Sequence, residues 1–174
     1  MDYSLQLNRW HYRQPDWLAA VVAGFAGGAV MMVLELLWTA ATNEVGPWRA
    51  SQLVAAMVLG PGVLQASAAT FQADVVGTAL VTHYALGISF GVLFGIVATG
   101  FGIDRQVPAM LVFGALFGAL LYVFDFYGMV RFFPWFIEIR GWAMAIGNVV
   151  FGMVAALLYA KLERGERMQA GLSH

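Results

Sequence analysis

A chain of 174 residues that is 61% hydrophobic and only 11% charged falls far short of the roughly 25% charged residues of a soluble domain, so lipid is the expected solvent. A net charge of −1 excludes the basic field that nucleic-acid binding requires. The absence of cysteine excludes disulfides, iron–sulfur clusters and thiolate metal sites.

In chain order, the tail "LNRWHYRQPDW", with His11, reads as an amphipathic lead-in lying on a surface. The first apolar run covers 17–42. It is too long for a signal peptide, carries Glu35 and lacks a clear small-residue cleavage site. The connection 43–74 contains "PWRASQLVAAMVLG", in which Pro47 suits a first helical turn and Gly60-Pro61 a stop. That helix is too short to cross a bilayer, so it is expected to be interfacial or re-entrant. Further spans are expected at 75–100, 107–130 and 141–160, each close to the roughly 20 residues a crossing needs. The link 131–140 and its flank carry Arg131, Pro134, Trp135, Glu138 and Trp142, as suits a water boundary. The tail "KLERGER" reads as a solvated helix end, and His174 is the C-terminus. The expected fold is an all-α membrane protein. It forms one integral domain over 1–174, a four-transmembrane-helix bundle with an extra helix between spans 1 and 2.

Basic residues set the orientation. Arg9, Arg13, Arg105, Lys161, Arg164 and Arg167 fall on one side, against Arg49, Arg131 and Arg140 on the other. Both termini are therefore expected in the cytoplasm.

The chain repeats weakly. Gly24, Gly28 and Glu35 match Gly114, Gly118 and Asp125 at a constant offset of 90 (24 to 114, 28 to 118, 35 to 125). His83 and Gly87 of the second span match Asn148 and Gly152 of the fourth. Two spans per half make a parallel repeat, whose pseudo-twofold axis would lie along the membrane normal. Small residues also recur every four positions: Ala20, Gly24 and Gly28; Gly87, Gly91 and Gly95; Gly114 and Gly118; Gly152, Ala156 and Ala160. Such faces let helix backbones approach closely in lipid. The sequence "GFAGGAV" lies inside a membrane helix, where its glycines read as packing residues rather than a nucleotide loop.

Four polar residues share these faces. Glu35, His83, Asp125 and Asn148 lie six to nine residues inward of Thr42, Asp74, Arg131 and Arg140, roughly 9–14 Å at 1.5 Å per residue. The spacings Gly28 to Glu35, Gly118 to Asp125, His83 to Gly87 and Asn148 to Gly152 put each on its helix's packing face. They are expected to form one buried layer. Two carboxylates there cannot both stay ionised cheaply unless His83 shares the charge. Tyr84, Tyr122 and Tyr127 are candidate hydroxyl partners. The layer supports three readings: a hydrogen-bond network fixing helix register, a proton or cation pathway, or a site for a divalent metal. A di-iron centre would want more Glu and a second His at Glu-x-x-His spacing. No catalytic motif is present.

With these residues named, the chain resembles a family of small four-span bacterial inner-membrane proteins without an established activity. The resemblance is carried by "ATFQADVVGTALVTHYALGISFG", "FDFYGMVRFFPWFIEIRGWAMAIGNVVFG", "LELLW" and "AAMVLG". Some members bear the name sodium:proline symporter, for which 174 residues are far too few. The resemblance implies the fold and a bacterial inner-membrane location. Members often carry histidine at both the second-span and fourth-span positions. Asn148 stands at the second of these here and argues against a bis-histidine haem. The leading expectation is an accessory, assembly or structural subunit of a larger membrane complex, without catalysis, with the bilayer and other membrane subunits or itself as partners. The aromatic run Phe124, Phe126, Phe132, Phe133 and Trp135 would dock a partner or meet lipid. The alternative is a small proton- or cation-conducting transporter or channel using the polar layer. A third is a haem- or metal-binding protein, although no cofactor is expected first.

Overall fold

The structure, a computed structural model, describes residues 14–42, 46–103 and 107–172, with the side chains of residues 40 and 164–172 excepted. Five α-helices follow in order: α1 (Trp17–Thr42), α2 (Arg49–Leu59), α3 (Ala73–Gly100), α4 (Val107–Val123) and α5 (Trp142–Leu172). Four stretches are long and apolar enough to cross a membrane: Trp17–Thr39, Ala73–Gly100, Val107–Arg131 and Trp142–Glu163. These are the four spans the hydropathy pattern predicts. Among the described residues there is no strand. The basic residues Arg9, Arg13 and Arg105, and the side chains of Arg164 and Arg167, lie outside the described residues, as do His11 and His174.

The termini of the helices follow local chemistry. Asp16 caps α1: its Oδ1 accepts the Ala19 N–H at 2.9 Å, which satisfies one of the first-turn donors a helix leaves open. Gly46, at φ 108°, permits the turn before α2, and a Cβ there would stand 2.8 Å from the Ala68 carbonyl oxygen. Gly60, at φ 87°, ends α2, and its N–H reaches Ala56 O at 3.0 Å. The turn Pro61–Gln65 follows. α2 buries Gln52, Leu53, Ala55 and Ala56, with Ala55 packed in one cluster with Val75 and Ala79 of α3.

The spans pack in the order α3, α1, α5, α4. Within each half the small residues set the contact. A Cβ on Gly24 would press on the Gly87 carbonyl and stand 2.9 Å from Gly91 Cα. On the other pair, a Cβ on Gly114 would press on the Gly152 carbonyl and lie 2.6 Å from Ala156 Cβ. Shifted by the repeat offsets, these are the same contact. At the next matched positions Gly28 faces the His83 ring at ordinary contact distance, whereas a Cβ on Gly118 would press on the Asn148 backbone. Only hydrogen fits at Gly24, Gly114 and Gly118, where a Cβ would press on backbone, which is why glycine stands there.

Between the halves the contact is lopsided. α1 and α5 lie close, with Gly27 against Phe151 and Gly147 against Met31. α3 and α4 stand apart, bridged by rings. Phe94 of α3 meets Phe113 and Phe117 of α4 at centroid distances of 5.5 and 5.4 Å. The core at that level, which includes Phe94, Met110 and Tyr159, is fully buried.

One departure from regular helix matters for the site. The third span does not end as a plain α-helix. Its last part is a π-helical turn over Phe124–Gly128, then a 3₁₀ turn over Met129–Arg131. Single π turns inside α-helices often mark functional positions. This one contains Asp125.

Candidate functional site

The four polar residues come from four different spans. Glu35 projects from the last third of α1, where Thr39 Oγ1 donates to its backbone oxygen at 2.9 Å. Its carboxylate has no hydrogen-bond partner among the described residues. His83, on α3, donates from Nε2 to the Gly28 carbonyl at 2.9 Å. A carbonyl can only accept, so that nitrogen carries the proton. The imidazole lies beside Gly28, where a Cβ would stand in ordinary contact with Nε2, at 3.5 Å. Asp125 sits in the π turn, and its carboxylate has no partner among the described residues. Asn148, buried on α5, donates from Nδ2 to Met144 O of its own helix at 2.9 Å.

Glu35, His83 and Asp125 line a single cavity of about 340 Å³. Its remaining wall is apolar: Met31 from α1, Val54 and Met57 from α2, Leu86 and Phe90 from α3, Phe124, Phe126 and Met129 from the end of the third span, Phe136 and Ile139 from the 134–139 turn, and Met144 from α5. A smaller cavity of about 90 Å³ adjoins it, sharing Met31, His83, Leu86, Phe90 and Asp125 and adding Asn148. The layer therefore surrounds a space. It is not a bonded network: among the described residues, the one hydrogen bond between spans that any of the four side chains makes is His83 to the Gly28 backbone. Tyr84, Tyr122 and Tyr127 do not line either cavity. Tyr84 instead stacks on Phe25 at 4.5 Å, and Tyr127 lies under the Arg140 guanidinium at 4.8 Å.

Among the described residues no three of His, Asp and Glu gather closely enough to hold a metal ion. The cavity thus offers two carboxylates without partners and one oriented imidazole, spread over an apolar wall. Such a surface can hold protons or a positively charged guest. Unpaired ionisable side chains facing a membrane-protein interior are the usual sign of that kind of work.

Two groups of residues lay outside the predicted layer. Arg49 donates to Glu138 through Nε and Nη2, at 2.8–3.0 Å, and to Leu64 O at 3.0 Å. Trp135 Nε1 donates to Leu53 O at 2.9 Å. Together these tie α2 to the 134–139 turn, the two segments that cover the cavity at one end. At the far end, the Tyr159 hydroxyl is 2.8 Å from Thr99 Oγ1 and accepts the Asp16 N–H at 3.1 Å. The sequence offered a hint of the second group, because Asp16 begins a helix three residues before Ala19. It offered none of the first, whose partners stand 89 residues apart.

The predicted aromatic docking run divides. Phe126 is buried, Phe133 and Trp135 are half-buried, and Phe124 and Phe132 are exposed. Comparison of the chain with protein-family models, with curated proteins and with solved structures finds no match. What the geometry establishes is an integral membrane protein of four apolar helices with a polar-edged cavity at one end of the bundle.

Proposed function

We propose that this protein handles protons or a cation in the cavity at the α2 end, with Glu35 and Asp125 as the binding groups and His83 as their neighbour. The observation that carries the reading is that three ionisable side chains from three spans face one cavity, two of them with no other partner. A carboxylate without a hydrogen bond in an apolar wall is costly to keep. It is expected where a guest supplies the missing partner.

The reading also says how passage would occur. Among the described residues the far half of the bundle is filled by Phe94, Met110, Phe117 and Tyr159, which close it. Transport would need alternating exposure, with the α2 and 134–139 cover moving against the glycine-packed helix pairs. On this reading both termini lie in the cytoplasm of a bacterial inner membrane, which places the cavity toward the outer face. The resemblance to small four-span inner-membrane proteins supports the location, and the positive-inside pattern supports the orientation.

The test is flux in proteoliposomes with an internal pH dye. Proton or cation entry that vanishes in Asp125→Asn, falls in Glu35→Gln and survives the lipid-facing change Leu120→Ala supports the reading. Flux equal to that of empty vesicles, with native protein, contradicts it. The accessory-subunit reading keeps Phe124 and Phe132 as its exposed aromatics in the run. Co-purification with a larger membrane enzyme at fixed stoichiometry would favour it.

A further inference from the structure

The wall of the cavity says what kind of guest suits it. Phe90, Phe126 and Phe136 present rings, and Met31, Met57, Met129 and Met144 present flexible thioethers, from six separate elements, the end of the third span counted as one. Methionine walls adapt to the shape of an apolar body, and aromatic faces attract a cation. The volume of about 340 Å³ lies within the range of small-molecule sites, about 300–1,000 Å³. Among the described residues a hydrated metal ion finds no set of three ligands, and its water shell would meet hydrocarbon on most sides of this cavity.

The mouth of the cavity points the same way. Two of its lining residues are also exposed on the outside of the protein: Leu86 of α3 at 36% and Phe124 of the π turn at 53%. They belong to the two spans that stand apart, at the level where no Phe94-type ring bridges them. This gap opens between membrane helices, so a guest would arrive from the acyl chains and must be soluble there.

We infer that the cavity binds a lipophilic monocation, an amine or quaternary ammonium on an aromatic or alkyl body, entering between α3 and α4 and placing its charge against Glu35 and Asp125. The inference rests on those carboxylates being the working groups, and it adds the guest's class and route. No covalent step is involved. Head and carboxylates exchange charge partners, and any proton held by a carboxylate leaves to solvent as the cation binds. The α2, α5 and 134–139 contributions to the wall are all apolar, so Glu35, His83 and Asp125 are its ionisable groups among the described residues.

The test uses the full chain in phosphatidylcholine nanodiscs, with 4-phenylbutyl-trimethylammonium as probe and its neutral analogue, carbon replacing nitrogen, as comparison. Equilibrium dialysis reads binding above empty nanodiscs. The expected result is one saturable site for the cation, with at least roughly tenfold weaker binding of the neutral analogue and of the cation to Asp125→Asn or Glu35→Gln. Leu86→Trp, which fills the mouth from a lipid-facing position and leaves both carboxylates intact, should weaken binding as strongly. Equal binding of the neutral analogue would mean an apolar pocket that any acyl chain can occupy, and would overturn the inference, as would the absence of saturable binding. If the carboxylate variants do not fold, the analogue and Leu86→Trp decide the matter. Proton flux that depends on Asp125 without cation binding overturns this inference alone. Loss of both overturns the proton reading as well.

Discussion

Arg49 grips Glu138 with two nitrogens, Nε at 3.0 Å from Oε2 and Nη2 at 2.9 and 2.8 Å from Oε1 and Oε2. This pair joins the connection after the first span to the connection after the third. Among the described residues it is the one salt bridge to do so, and the same guanidinium holds the turn after α2 through Leu64 O. The Glu138 side chain is 42% exposed and that of Arg49 19%, so water weakens the charge attraction. The geometry nevertheless fixes the cover of the cavity.

The two partners should therefore differ when removed. Arg49→Ala loses the ion pair and the Leu64 bond, and is expected to lower stability by about 1–2 kcal/mol; Glu138→Gln keeps an acceptor and should lose under about 1 kcal/mol. Thermal unfolding in detergent ranks them. Equal effects would show that the Leu64 bond contributes nothing.

Glycine substitutions should separate sharply by position. Gly114→Ala places a methyl against the Gly152 carbonyl and Ala156, and overpacking of this kind costs about 1–3 kcal/mol or more. Gly77→Ala, on α3 with nothing within 4 Å of its Cβ position, should be neutral or stabilising by up to about 1 kcal/mol. Melting temperatures in one detergent compare the two. A stable Gly114→Ala protein would mean the α4–α5 pair is looser than described.

At the far end, Tyr159→Phe removes a hydroxyl that serves both Thr99 and the Asp16 N–H. The buried Thr99 hydroxyl and the part-buried Asp16 N–H are left without that partner, at a cost of about 1–3 kcal/mol. Hydrogen exchange should show the first turn of α1 opening faster in this variant. An unchanged rate there would place the stabilisation of that turn elsewhere.

The carboxylates should behave oppositely. Glu35→Gln and Asp125→Asn remove groups that have no bonding partner to lose, so stability is expected to hold or rise, by about 1 kcal/mol, while flux falls. A gain in stability with loss of function is the usual sign of a side chain kept for work. A large loss of stability in either would show a structural partner for it.

Much of this arrangement was legible in the sequence, and the reasons are local. A bilayer crossing needs a long apolar run, so the spans and the short α2 could be read with their ends, down to the stop at Gly60. Glycine spacing identified the faces that touch, and the repeat offsets reproduce the Gly24–Gly87 and Gly114–Gly152 contacts. The asymmetry between the halves was not legible. It depends on Phe94, Phe113 and Phe117 wedging α3 from α4, while Gly27, tight against Phe151, lets α1 and α5 close. The π turn at Asp125 also escaped, because nothing in "VFDFYG" marks an inserted residue. Nor does the sequence say where the Asn148 amide bonds: Asn148 lines the smaller cavity and donates to Met144 O of its own helix, a choice made by the helix's own carbonyls.

The central claim is that Glu35 of α1 and Asp125 of the π turn face each other across one cavity. The chain has no cysteine, so the double variant Glu35→Cys with Asp125→Cys can be joined by a short bis-thiosulfonate in native membranes and read by mass spectrometry. The account predicts an intramolecular bridge for this pair and none for Glu35→Cys with Leu120→Cys, whose second position is 69% exposed on α4. Bridging of the Leu120 pair in place of the Asp125 pair would contradict it.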